Sequence, residues 1–354
     1  MKKVGIPRGL FYYYYYPLWK TFFTQLGAEV IVSSPTNRLI TEQGIQVAVD
    51  ELCLPMKVYL GHVRELCTKD LDYLFIPRMV SIEAKSYICP KFMGVPDMVR
   101  ACIPNLPGLI DITVDLSKND KALQRDLLEV GRLFTRKKRL VNDAYKHASQ
   151  ELYFCKVLAR EGYTMDEAIR LWEGESFTTK KDTDLNIGIL GHGYSLYDDS
   201  ISMNLIKRLR NMGCKVHLPE SQDRQSVEDE AATLPKRIFW TLGRKMVGSA
   251  LHMAKRTDID GIIYLACFGC GPDSLIGEII ERKIKDKAFM LITIDEHTGE
   301  AGLVTRLEAF CDMLQRRRFL KGESDISSYG QFSYSYQSSF AGFETRSNTS
   351  SSYK

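Results

Sequence analysis

The 354-residue sequence has no long apolar run: nothing in it approaches the roughly eighteen consecutive residues of a membrane-spanning helix. Nor does it carry an excess of one charge. Its 48 lysines and arginines against 44 acids leave +4, too little for its size to make nucleic acid or an anionic membrane the main partner. The opening Met1-Lys2-Lys3-Val4-Gly5-Ile6-Pro7-Arg8 runs straight into a strand-like segment without the apolar core of a signal peptide, so a cytoplasmic location is expected. The phosphate-loop pattern G-x-x-x-x-G-K-[ST] is missing, and no bound nucleotide is expected. Only one C-x-x-C occurs, so the two tight pairs of the usual structural zinc site are lacking. Nine cysteines is an odd number, which in an unexported protein argues against a disulfide framework and for metal or redox chemistry. With 44% apolar and 26% charged residues, neither disorder nor a fibre describes the whole chain.

What is present is an alternation of short β-like runs with amphipathic helices, the pattern of parallel α/β sheets. Residues 3–7 predict a first strand. A helix is expected over 17–26, opened by Pro17 and stopped by Gly27, and then a strand over 28–32. Further strands are expected over 72–76 and 109–114, and from about 119 to 174 the apolar spacing turns helical. The opening pattern then returns in order. Val4-Gly5-Ile6-Pro7-Arg8-Gly9 is echoed by Ile187-Gly188-Ile189-Leu190-Gly191-His192-Gly193, and Leu26-Gly27-Ala28-Glu29-Val30 by Met212-Gly213-Cys214-Lys215-Val216. Asp72-Tyr73-Leu74-Phe75-Ile76 is echoed by Asp260-Gly261-Ile262-Ile263-Tyr264. These landmarks predict an α/β fold of two similar flavodoxin- or Rossmann-like parallel-sheet domains, 1–118 and 183–318, joined by a helical connector over 119–182. The last stretch, 319–354, holds eleven serines from Ser324 onward and no clear period, and is expected to be a disordered C-terminal tail.

In open parallel sheets, ligands bind outside the carboxyl ends of the strands. Cysteines there occur in three proline-marked contexts: Cys53-Leu54-Pro55, Cys89-Pro90 and Cys270-Gly271-Pro272, with Cys267-Phe268-Gly269-Cys270 following a strand over 262–266. Pro55 and Pro272 suit helix starts, where the dipole favours a thiolate. Cys67, Cys102, Cys155 and Cys311 in helix-like segments, and Cys214 opening a strand, read as buried small hydrophobes. Spacing leaves four readings of the first group open. Ligands donated singly from separate loops suit an iron–sulfur cluster in an interdomain cleft; the alternatives are zinc, a redox dithiol at Cys267 and Cys270, and plain packing.

Several segments resemble one family. They are Gly5-Ile6-Pro7-Arg8-Gly9-Leu10 with its tyrosine-rich continuation, Glu51-Leu52-Cys53-Leu54-Pro55-Met56-Lys57, and Tyr87-Ile88-Cys89-Pro90-Lys91-Phe92. Cys267-Phe268-Gly269-Cys270-Gly271-Pro272-Asp273-Ser274 and Asp295-Glu296-His297-Thr298-Gly299-Glu300 complete the set. Together they resemble the 2-hydroxyacyl-CoA dehydratase superfamily, and within it the single-chain branch related to activators of CoA-substrate-specific enzymes, over about residues 3 to 316. The resemblance implies a [4Fe-4S] cluster held by Cys53, Cys89 and Cys270, with Cys267 a fourth ligand, an alternate ligand or a bystander. A related branch carries a double-cubane cluster. It also implies a low-potential electron, received from a separate ATP-hydrolysing activator with its own cluster, that lets a 2-hydroxyacyl thioester expel its α-hydroxide. The partners it implies are that activator, an acyl-CoA or other small-molecule substrate, and a second copy or a paralogous subunit. The competing readings are a non-catalytic iron–sulfur electron relay or regulatory subunit, and a dithiol oxidoreductase or zinc protein.

Other residues carry weaker signals. The run Tyr12–Tyr16 fits an aromatic layer under the first β–α turn better than the wall of a cofactor cleft. His192 fits a solvated loop histidine better than a proton carrier. Glu296 and His297 follow a strand over 288–294 and are candidates for moving protons, although a helix cap by Asp295 or Thr298 accounts for that segment more simply. Lys57 and Lys91 sit near their cysteines, either to offset cluster charge or as solvated lysines.

Overall fold

The computed structural model describes residues 1–176 and 185–324. The first sheet is laid down by β1 (Lys3–Ile6), which feeds α1 (Tyr12–Gln25), and by β2 (Glu29–Val32). Gly27 at φ +82° provides the left-handed stop that ends α1. α1 begins five residues earlier than its proline suggests. Burial of Tyr12, Tyr13 and Tyr16 holds the first turns against the core, and Pro17 sits inside the helix.

Asn37 caps α2 (Arg38–Val47), its side chain accepting from Ile40 N at 3.0 Å. α3 (Leu54–Cys67) packs on α2 through Gly44 and Gly61. A β-carbon on either glycine would run into the opposing backbone carbonyl, of Lys57 or of Ile40, and this close approach fixes where α3 begins.

Next come β3 (Tyr73–Phe75), β4 (Arg78–Ser81), α4 (Pro90–Met93), α5 (Val95–Cys102), β5 (Gly108–Ile110) and β6 (Thr113–Asp115). The single strand expected over 109–114 is two. β5 joins the main sheet beside β3, whereas β6 pairs with β4 in a separate two-stranded sheet. Asp111, between them, accepts from Arg100 at 2.5 Å, so the chain leaves the ladder at a charged residue.

The connector is helical as expected: α6 (Lys121–Gly131), α7 (Lys138–Arg160) and α8 (Met165–Trp172), the last opened by a capping box of Thr164 and Glu167. The second sheet follows. Its elements are β7 (Leu185–Leu190), α9 (Gly193–Leu196), α10 (Leu205–Asn211), β8 (Cys214–His217), α11 (Arg224–Ala232) and α12 (Thr241–Lys255). β9 (Gly261–Cys267), α13 (Gly271–Lys283), β10 (Ala288–Ile294) and α14 (Glu300–Ser324) complete it.

The strand orders are β2-β1-β3-β5 and β8-β7-β9-β10, all parallel. Matched in chain order, the two sheets have the same topology, which is the structural form of the internal echo in the sequence. Each order reverses beside its first strand, so each sheet has a crevice at the carboxyl ends of β1 and β3, or of β7 and β9. Residues Met1–Gln315 form one compact unit, and one apolar cluster runs through both sheets, from Val4 and Leu74 to Ile187 and Ile263. Among the described residues, no helix is long and apolar enough to cross a membrane. Of the stretch 319–354 read above as tail, residues 319–324 continue α14 instead, and the rest lies outside the described residues.

Candidate metal centre

Three of the predicted cysteines occupy the same local position. Cys53, Cys89 and Cys270 are the residues immediately before α3, α4 and α13, and in each helix a proline stands in the first turn. Proline suits that turn because the amide it removes would have no helical partner. The three sulfurs line one cavity with Leu10, Lys91 and Tyr194. Gly269, at φ +73°, brings the Cys267–Cys270 loop against the Cys53 segment: a β-carbon built on it would lie 4.0 Å from Cys53 Cα. Lys91 closes the arrangement, its Nζ donating to the carbonyls of Glu51 (3.3 Å) and Gly269 (3.1 Å). Leu10, on the cavity wall, holds φ +51°, a left-handed conformation that costs a bulky residue energy and that clusters at functional sites.

Burial dominates the electrostatics of the three cysteines, and at Cys270 the Asp273 charge adds to it. Burial pushes all three thiols above their ordinary pKa, while the charge of Lys91 pulls Cys53 and Cys89 back toward the thiolate. First-turn amides act in the same direction: Met56 on Cys53, Lys91 on Cys89 and Asp273 on Cys270. No cysteine is in a disulfide. Three unbridged cysteines, two buried and Cys89 partly so, each at a helix start and with no carboxylate lining their cavity, are a donor set that could hold a thiolate-bound iron–sulfur group. The cavity is about 20 Å³, the space of a single water, so such a group enters only as side chains such as Lys91 and Phe92 give way.

Cys267 is placed differently. It is the last residue of β9, does not line the cavity, and its Sγ lies 3.3 Å from Ser195 Oγ. Burial and then the Asp273 charge push its thiol well up. Of the remaining cysteines, Cys155, Cys214 and Cys311 are buried, and Cys67 and Cys102 are partly so. Cys214 and Cys311 sit with their sulfurs 3.6 Å apart.

His192 is not the solvated loop residue its glycine-flanked setting suggests. It is buried, its Nε2 donates to Asp273 Oδ1 at 2.9 Å, and its ring stacks on Tyr194. Its Nδ1 has no hydrogen-bond partner. Asp273 also accepts from Tyr264 Oη (2.8 Å) and Cys267 N (3.4 Å). Burial raises the Asp273 carboxyl, but His192, Tyr264 and the Cys267 amide outweigh it and hold it below the usual carboxylate range. The ligating atoms of His192, Cys270 and Asp273 lie within 4.8 Å of one another. Asp273 and Ser195 were visible in the sequence only as an acid in a helical first turn and a serine after a glycine pair, so their roles were missed.

Lys57 is likewise not solvated. It is buried in the first turn of α3 and paired with Glu296, tying the Cys53 helix to the loop after β10. His297 is exposed. Asp295 and Thr298 bond each other, with Thr298 Oγ1 donating at 2.7 Å, and form a turn ahead of α14. The tyrosines do more than fill a layer: Tyr14 Oη accepts from Gly193 N at 2.7 Å, and Tyr13 donates to Asp198.

A second buried network lies beneath the β1 crevice. Arg8 N donates to Ser33 Oγ (2.7 Å), which meets His62 Nδ1 at 2.9 Å, and His62 Nε2 meets Thr36 Oγ1 at 2.9 Å. Thr36 spends its proton on Asp198, so it accepts from His62, and the neutral ring carries its proton on Nε2. Burial drives the His62 pKa down to about 3. Between about 6.5 and that value the unfolded chain binds a proton that the folded chain refuses, so the His62 contribution is complete above this window and is lost as pH falls through it. The stability of wild type relative to His62→Gln should therefore drop by about 1.4 kcal/mol per pH unit below pH 6.5. Urea unfolding of both proteins at pH 7 and pH 5 measures this, and parallel losses would refute it.

No curated protein matches the chain. Residues 3–221, which include Cys53, Cys89 and His192 but end before Cys270, match the family model described as the CoA enzyme activase uncharacterised domain (DUF2229). That match spans more than half of the sequence, and the chain belongs to this family.

Proposed function

We propose that this protein is the iron–sulfur electron acceptor of a CoA-enzyme system, related to the 2-hydroxyacyl-CoA dehydratases and supplied by a separate ATP-hydrolysing activator. The observation that carries the reading is the meeting of Cys53, Cys89 and Cys270, each at a helix start, in one buried cavity. Membership of a family named for CoA enzyme activation supports the setting. In this reading the three cysteines hold the group, which when bound supplies single electrons at low potential. Lys91 and the first-turn amides offset its negative charge, and burial keeps water from the sulfurs. The Asp273–His192 pair beside Cys270 fixes the imidazole, whose Nδ1 has no hydrogen-bond partner.

A second reading, an electron relay without a substrate of its own, is favoured by the closeness of packing. Beside Cys89 and His192 the structure leaves only about 10 Å³, far less than an acyl group needs. Anaerobic reconstitution with iron and sulfide, followed by metal and sulfide counts and EPR, tests the shared premise. A protein that stays colourless, or that takes up zinc without sulfide, would defeat both readings. Turnover of 2-hydroxyacyl-CoAs with activator, ATP and reductant separates the two: a reduced centre without turnover leaves the relay.

A further inference from the structure

A cavity of about 720 Å³ lies apart from the cysteine cavity and shares no lining residue with it. It lies at the carboxyl ends of β4 and β8, between α1, α7, α11 and α12, and its volume is that of a small-molecule site. Four cations face it: Lys156 and Arg160 from α7, Arg224 from α11 and Lys245 from α12. The carboxylates on its walls are already engaged, one of them with a cation of the cavity itself. Glu83 and Glu228 both pair with Arg244, Glu220 pairs with Lys245, and Asp223 caps α11 through Ser226. Among the described residues, Lys156, Arg160 and Arg224 have no carboxylate within ion-pair distance. Lys156 lies over the Tyr15 ring, 5.7 Å from its centre. All three side chains are solvent-exposed; partial desolvation lowers the Lys156 pKa, and the neighbouring cations Lys245, Arg224 and Arg160 lower it further. Like charges gathered side by side are unfavourable in the free protein, and an anion seated among them reduces that cost. Tyr14, Tyr15 and Leu242 give the cavity an apolar wall beside Lys156, and the hydroxyl of Thr241 has no hydrogen-bond partner.

We propose that this cavity binds a phosphate ester, with its phosphate held by Lys156, Arg160 and Arg224 and its organic body against Tyr14 and Tyr15. Two guanidiniums and an ammonium lining one cavity suit a tetrahedral dianion better than a single carboxylate, because each guanidinium offers a two-pronged donor to phosphate oxygens. The aromatic wall favours an ester over the bare ion. The site needs no iron and stands independently of the electron-acceptor reading.

Calorimetric titration at low ionic strength with phenyl phosphate, inorganic phosphate and benzoate tests it. Phenyl phosphate should bind saturably and more tightly than either of the others. The double variant Lys156→Gln/Arg160→Gln should weaken it by about tenfold or more, while inorganic phosphate weakens in parallel. Circular dichroism and the iron content after reconstitution should both match wild type, which separates failure of this site from failure of the metal centre. Three results would each overturn the proposal: no saturable binding of phenyl phosphate at millimolar concentration, equal affinity in the double variant, or benzoate binding as tightly as the ester.

Discussion

Cys53→Ala, Cys89→Ala and Cys270→Ala should each reduce iron and sulfide retention after anaerobic reconstitution to background, whereas Cys267→Ala should keep most of both. The expectation follows from placement. Three cysteines line one cavity, so removing one leaves two, too few for the three-thiolate cluster proposed above. Cys267 points its thiol at Ser195 instead and belongs to the end of a fully buried strand. Its loss removes a small buried side chain and little else. Because all four positions are partly or wholly buried, thermal unfolding of the apo variants must accompany the metal counts. Retention of full iron and sulfide by any one of the first three variants would remove that cysteine from the site, and loss in Cys267→Ala alone would exchange the two members of the C-x-x-C.

The regular part of this molecule was legible because period and punctuation agree in it. The echo between Val4–Gly9 and Ile187–Gly193 reports two sheets of identical strand order, since a β-run, a glycine turn and a helix repeat in the same sequence. The cysteine set was legible for a related reason: a proline after each of Cys53, Cys89 and Cys270 marks a helix start, and helix starts in parallel folds gather at one edge. What sequence could not give were contacts across long separations. Lys57 and Glu296 are each unremarkable surface residues by type, and only the fold brings them together. The same holds for His192 and Asp273, whose pairing turns a loop histidine into a buried one. The tyrosine run was misjudged at its start, because helix propensity and Pro17 pointed one way and the burial of Tyr12 and Tyr13 decided the other.

The second large effect is on stability. Asp273→Ala should destabilise the apo protein by about 3–5 kcal/mol, because the carboxylate is the common acceptor for three buried donors. Without it the His192 Nε2–H, the Tyr264 hydroxyl and the Cys267 amide lose their partner in a region closed to water. Asp273→Asn keeps one carbonyl oxygen as acceptor and should lose roughly half as much. Chemical unfolding of both variants at neutral pH measures the difference, and a loss below about 1 kcal/mol for Asp273→Ala would show that this buried junction does not bear on folding. Metal content of the less disruptive variant carries a further consequence. If the three cysteines alone hold the group, Asp273→Asn should reconstitute with the iron and sulfide of wild type. If instead a single ion sits among His192, Cys270 and Asp273, whose ligating atoms are close enough to share one, the same variant should lose its metal while Cys53→Ala keeps it. The two substitutions therefore assign the centre in opposite directions, and His192 becomes in the first case a ring oriented beside the cluster and in the second a ligand.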